Sequence, residues 1–213
     1  MRKIGVFDSG IGGLSVAMAI ERALPNDEVV WVSDRAHVPY GDKTPEQVHG
    51  FVLPILQKLE RDGCEAIVIA CNSVTTTLIE TLRKEIHVPL IGIEPMVKPA
   101  ATLTKSNIIA ICATPMTLAS KRYAHLKETY AHGIKVLEPD CAQWAYMIEQ
   151  SKVNEAIIAK EIDEMCVAGA DAIVLGCTHY HWIERTIKRL VAGRAAVLQP
   201  EQAVVAQLKR VLS

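Results

Sequence analysis

The sequence predicts an α/β protein of two pseudo-symmetric αβ domains, each built on a parallel sheet, with a cleft between them. Short β-branched runs bounded by Gly and small polar residues alternate with amphipathic, helix-length stretches, the pattern of strands buried on both faces. The chain also repeats itself. Laying Cys71 on Cys177 superimposes D-G-C-E-A-I-V-I-A-C-N-S on A-G-A-D-A-I-V-L-G-C-T-H, with Gly63/Gly169, Ala66/Ala172, Ile67/Ile173 and Val68/Val174 identical. At that offset Asp34 falls on Asp140; one residue off it, I-G-V-F-D-S meets I-A-I-C-A-T and I-E-P meets L-Q-P. Finally, 213 residues suffice for two cores of roughly 100 residues each. The expected domains are residues 1–93 plus 199–213 and residues 94–198, the last helix crossing back to the first domain.

In chain order, Ile4 to Phe7 form a strand that D-S-G-I-G-G turns into a helix over Leu14 to Ala23. Gly10 and Gly12 match part of a dinucleotide fingerprint, but Ser15 holds its third glycine position and Asp8 sets a negative charge beside any phosphate. The rival for this turn is backbone N–H groups donated to a small carboxylate. Glu28 to Ser33 form the second strand, and a turn-rich loop through Pro39-Tyr40-Gly41 leads to a helix over Pro45 to Arg61 with Thr44 as N-cap and Pro54 as a kink point. Ala66 to Cys71 form the third strand, and Asn72 or Ser73 caps a helix over Val74 to Glu85. That helix start points N–H groups at Cys71, which lowers a thiol pKa from about 8.5. A strand closing on Glu94-Pro95 and a helix through Met96 to Leu103 complete this half.

The second half brings a strand over Asn107 to Cys112, a helix over Leu118 to Tyr130, a strand over Ile134 to Leu137 and one helical stretch from Cys141 to Met165. Asp171 to Gly176 form the next strand, C-T-H-Y-H begins a helix, and Ala195 to Leu198 and Glu201 to Leu212 end the chain as strand and helix.

A formal charge of −1 and the lack of a basic run argue against nucleic-acid binding. No apolar run reaches the ~18 residues of a membrane span and the N-terminus enters a strand directly. The expectation is therefore a cytoplasmic chain without membrane contact. In that reducing compartment its six cysteines are buried thiols or chemistry rather than disulfides.

Ligands of open parallel sheets sit beyond the carboxyl ends of the strands, so two such units facing one another bring Cys71 and Cys177 to one cleft. Two thiols there suit stereochemical inversion: one takes a proton from one face of a carbon centre and the other returns one from the opposite face. Asn72, Ser73, Thr114, Thr117 and Thr178 are candidate donors to the developing carbanion. Three alternatives stand beside this reading. Cys177, His179 and His181 are zinc-type ligands, though their spacing at a turn diverges; a Cys–His hydrolase leaves Cys71 without a purpose; and buried cysteines are common in cores.

The motifs V-F-D-S-G-I-G-G-L, P-Y-G, A-C-N-S, I-E-P and L-G-C-T-H-Y, in this order over nearly the whole chain, resemble the glutamate racemases of the cofactor-independent aspartate/glutamate racemase superfamily. The resemblance implies Cys71 and Cys177 as the two bases, working on D- and L-glutamate respectively, with Asp8 assisting Cys71 and His179 assisting Cys177. Glu149 matches a family glutamate near the second thiol. Substrate contacts are implied at Asp8, Ser9, Tyr40, Gly41, Asn72, Ser73, Thr178 and His179, with Thr114 and Thr117 in support. No cofactor and no metal is implied, D-glutamate for peptidoglycan is the implied product, and a homodimer is admitted. Aspartate racemases typically carry G-C-T-E at the second thiol, so His179 favours glutamate; the alternatives are another amino-acid racemase or a non-catalytic amino-acid-binding homologue. The chain departs from the family pattern at Ser73, Ala142, Met96-Val97, His181 and Gln199 and is shorter between Glu149 and Asp171, and none of these changes removes a thiol.

Overall fold

The computed structural model describes residues 1–213, Asp42 by its backbone alone. The first half runs β1 (Lys3–Asp8), α1 (Leu14–Ala23), β2 (Glu28–Ser33), α2 (Pro45–Arg61), β3 (Ala66–Ile69), α3 (Asn72–Leu82), β4 (Leu90–Gly92) and α4 (Val97–Leu103). The second runs β5 (Ile108–Ala113), α5 (Pro115–Leu118), α6 (Lys121–Tyr130), β6 (Lys135–Leu137), α7 (Ala142–Glu149), α8 (Glu155–Val167), β7 (Ala172–Gly176), α9 (Glu184–Val191), β8 (Ala196–Leu198) and α10 (Glu201–Leu212). Two four-stranded sheets result, ordered β2-β1-β3-β4 and β6-β5-β7-β8, with every pairing parallel. The two orders are the same under the sequence repeat, so the thiol-bearing β3 and β7 hold equivalent inner places.

Both sheets are covered on both faces, which is why their inner strands are apolar without interruption. Side chains alternate along each strand: Phe7, Ile67 and Ile69 pack with Val52 and Leu56 of α2 and Val74 of α3, whereas Ile4, Val6, Ala66 and Val68 pack with Val16 and Ile20 of α1 and Val204 and Leu208 of α10. In the second sheet Ile109, Ile111 and Val174 pack with Val97 of α4 and Tyr123 of α6, and Cys112, Ile173 and Leu175 with Trp144 of α7, Ile158 and Ile162 of α8 and Ile187 of α9. Thus α4, which precedes the second sheet, covers it, and α10, which follows it, returns to the first.

Several local expectations hold and others are corrected. Thr44 caps α2 through a reciprocal pair with Gln47, and Pro45 follows at the first helical position. The single helical stretch expected from Cys141 to Met165 is two helices. Residues 150–155 are all exposed and give a helix nothing to bury, Ser151 takes a positive φ of 54°, and Asn154 caps α8 by accepting from Ala156 N. The helix expected from Leu118 is likewise split, because Thr114 caps α5 ahead of it and the Ser120 hydroxyl caps α6. Cys71 itself, not Asn72 or Ser73, occupies the cap position of α3. C-T-H-Y-H opens a 3-10 turn over Thr178–Ile183 rather than an α-helix.

Candidate active site

Both thiols stand just past the carboxyl ends of equivalent strands and line one cavity of about 590 Å³, within the usual size range of small-molecule sites. The first half contributes Ser9, Tyr40, Gly41, Asn72 and Ser73 to its wall, and the second Thr114, Glu149, Thr178 and His179. Asp8 and Thr117 stand behind that wall, each fully buried. Eleven of the thirteen positions singled out from the sequence line this cavity; Asp8 joins through Thr178 Oγ1 at 3.2 Å, and Thr117 through hydroxyls, its Oγ1 at 3.1 Å from Thr114 Oγ1 and 3.4 Å from Ser73 Oγ. Ser73 and Thr114 share a 2.8 Å hydrogen bond across the cleft.

Around Cys71 the neighbours are a short hydroxyl and, behind it, the Asp8 carboxyl. Its Sγ lies 3.7 Å from Ser9 Oγ. The expected lowering of its pKa by the start of α3 is overturned: burial first, and then the Asp8 charge, push the thiol up against the weaker pull of the Val74 N–H and Ser9. Asp8 is raised as well, by burial that outweighs the His179 charge and the Gly13 and Thr178 donors. Its Oδ2 accepts from Gly13 N at 2.6 Å and from Thr178 Oγ1 at 3.2 Å, while Oδ1 has no protein partner.

Around Cys177 there is a relay of polar side chains. Sγ lies 3.8 Å from His179 Nδ1, and His179 Nε2 lies 2.8 Å from Glu149 Oε2. The carboxylate is held further by Ile11 N on Oε2 and by Arg35 Nε on Oε1, each at 3.0 Å. Burial opposes a charged imidazole, yet its hydrogen bonds to Cys177 and Glu149 carry His179 up to about 10. Burial likewise opposes the carboxylate, and the bonds from His179, Ile11 and Arg35 outweigh it, bringing Glu149 down to about 2.

The remaining wall is neutral. Tyr40 gives its hydroxyl to Asp34 Oδ2 at 2.6 Å, which leaves its ring toward the cavity. Asn72 is buried on the wall with neither side-chain oxygen nor nitrogen paired, so its amide is free for a ligand. His181 does not join Cys177 and His179; its Nδ1 lies 3.2 Å from Ser15 and from Glu201, and no cluster of three metal-ligating side chains occurs among the described residues. The glycine-rich turn explains itself by packing. A Cβ on Gly10 would lie 2.5 Å from Glu149 Oε2, and one on Gly12 would lie 2.6 Å from the His179 backbone nitrogen. These glycines let the first half seat against the Thr178-His179 turn, a need that nucleotide binding does not share.

Sequence reasoning missed Arg35 and Ile11 as partners of Glu149, and it missed the α7 wall of Ala142, Ala145, Tyr146 and Met147. Apolar side chains such as Trp144 and Ile148 mark α7 as a packed helix but not which edge faces the cleft.

The pattern of the Asp/Glu/Hydantoin racemase family matches residues 4–208. A glutamate racemase of Pseudomonas putida strain W619 is 35% identical over 99% of this chain and 81% of its own length. The crystal structure of Escherichia coli glutamate racemase in complex with L-glutamate and the activator UDP-MurNAc-ala superposes with a TM-score of 0.92 at 25% identity, over 99% of this chain and 82% of that one. That of Francisella tularensis glutamate racemase in complex with D-glutamate gives 0.81 at 29% identity, over 99% and 80%. With the match running through both sheets and both thiol turns, the chain belongs to the Asp/Glu/Hydantoin racemase family.

Proposed function

We propose that the protein interconverts L- and D-glutamate by proton transfer through Cys71 and Cys177. The observation that carries this reading is the pair of thiols at equivalent strand ends on one cavity, which a binding protein does not need. From L-glutamate, the Cys177 thiolate takes the α-proton while the electron pair passes into the α-carboxylate, and the Cys71 thiol gives its proton to the opposite face. D-glutamate runs the same steps in reverse, with Asp8 assisting Cys71. His179 presents Nδ1 to Cys177, with Glu149 behind it. The raised Cys71 value supports a thiol that rests protonated, ready to act as the donor for L-glutamate. Asn72, whose amide is unpaired, leads the donors to the substrate carboxylates, and Ser73, Thr114 and Thr178 join it by turning hydroxyls that otherwise bond Thr114, Thr117 and Asp8, with Ser9, Tyr40 and Gly41 shaping the wall and Thr117 steadying the hydroxyl chain. The domains of this reading are residues 1–93 plus 199–213 and residues 94–198, and the packing of Val204 and Leu208 on the first sheet supports the split. D-glutamate for peptidoglycan is the proposed use of the product.

Aspartate racemisation and binding without turnover are the competing readings. Circular dichroism of separate L-glutamate and L-aspartate solutions with the purified protein and no added cofactor decides among them. The glutamate signal is expected to decay to zero; decay for aspartate alone, or for neither, rejects the proposal.

A further inference from the structure

Resting on the assignment of His179 and Glu149 to the Cys177 half-reaction, we infer that Arg35 is a positioning residue for that half-reaction, reaching across the cleft to fix the carboxylate on which His179 leans. Glu149 has two oxygens and three donors. Oε2 takes His179 Nε2 at 2.8 Å and Ile11 N at 3.0 Å, and Oε1 takes only Arg35 Nε, at 3.0 Å. Without Arg35 the carboxylate can rotate about its last bond and still satisfy Ile11, carrying Oε2 away from the imidazole. The bond runs from a guanidinium whose side chain is 62% exposed to a carboxylate side chain that is 4% exposed, so solvent screens the donor but not the acceptor, and the charge-assisted bond resists that rotation where one between two solvated groups would not.

The backbone beneath Arg35 is suited to the task. Asp34 N donates to Asp8 O at 3.1 Å, and the Asp34 carboxylate takes Tyr40 Oη at 2.6 Å and His37 Nδ1 at 2.8 Å, while the His37 ring stacks on Phe51 at 3.8 Å. Arg35 therefore projects from a loop tied at several points to the first half, whereas Glu149 ends α7 in the second. The groups that face His179 are Cys177, Glu149 and Asp8, and of these Glu149 alone is steadied by a cation from the opposite half.

The test compares R35A, R35K and E149Q with the parent enzyme, using L- and D-glutamate with and without α-deuterium. Enantiomers have equal free energy, so kcat/KM must fall equally in both directions; about tenfold is expected for R35A, with R35K between it and the parent. The discriminating readout is the primary isotope effect on kcat/KM. If the Cys177 transfer is the step that slows, the effect rises for L-glutamate and shrinks for D-glutamate, because only from L-glutamate is the deuteron moved in that step. A merely structural loss lowers kcat/KM and leaves both isotope effects where they were, and that result in R35A overturns the inference, as does unchanged kcat/KM. E149Q separates the two levels: opposed isotope effects in E149Q but not in R35A reject Arg35 alone, and their absence in both rejects the roles given to His179 and Glu149 as well.

Discussion

The two thiol turns descend from one repeated pattern yet are not copies. After β3 the chain enters α3 at once, so Cys71 sits at a helix start beside Ser9 and in front of a buried Asp8. After β7 it makes a 3-10 turn first, which returns His179 to its own thiol at 3.8 Å. The repeat thus gives the two sulfurs equivalent places, while their surroundings differ: burial and Asp8 act on Cys71, and His179 lies beside Cys177. One site holds a thiol pushed up by burial and by Asp8, and the other an imidazole carried up to about 10 and tied to a carboxylate.

The sharpest break of this comparison removes one sulfur at a time. C71S and C177S are each expected to lose racemisation to background, since a serine hydroxyl is too weak an acid to stand in for either thiol, while glutamate binding by calorimetry stays within a few-fold. With one thiol left, solvent deuterium should still enter the α-position of one enantiomer: L-glutamate with C71S, D-glutamate with C177S. Racemisation at the parental rate in either variant ends the two-base reading. A subtler break acts on the assistants. D8N and H179N should each lower kcat/KM by about 10²–10⁴, equally in both directions because the equilibrium constant is unity. Their isotope effects should differ in sense. H179N raises the effect for L-glutamate and shrinks it for D-glutamate, and D8N does the reverse. Matching patterns in the two variants would show substrate binding rather than tuning of the adjacent thiol.

Much of this was legible in the sequence, and the reasons are physical. The strands are readable because burial on both faces forces continuous apolar runs, and the repeat marks β3 and β7 as equivalent. The helix breaks at Ser120 and Ser151–Asn154 were not, since a capping hydroxyl or amide looks like any polar residue on an exposed face until the chain around it is fixed. The pKa of Cys71 is not legible locally, because a helix start is a local feature, whereas the depth of burial and the Asp8 charge depend on how the cleft closes. Arg35 escaped notice for the same reason: its partner lies 114 residues away in the other half, and no local period announces such a pair.

The smallest expected effect concerns stability, and it tests whether the second thiol's relay is charged in the resting protein. Glu149 is brought down from 4.5 to about 2, so its contribution is complete above its unfolded value of 4.5 and is lost as pH falls toward 2. His179 is brought up from 6.5 to about 10, so its contribution is complete below 6.5 and is lost as pH rises toward 10. The two share the Glu149–His179 pair, whose window runs from about pH 4.5 to 6.5, while the Ile11 and Arg35 bonds also hold Glu149 down and persist as His179 loses its proton. Removing the carboxylate charge in E149Q should therefore lower the melting temperature most within that window. A charge-assisted hydrogen bond of about 2 kcal/mol corresponds to about 4–8 °C for a chain of this size. The gap from the parent should narrow toward pH 2, and toward pH 10 it should narrow by the His179 share alone, since Arg35 stays charged there. Asp8 and Cys177 also face the imidazole, but they are present in both proteins and largely cancel in the difference. A gap that stays constant from pH 5 to pH 10 would mean that Glu149 contributes through shape and neutral hydrogen bonding, leaving His179 uncharged beside Cys177.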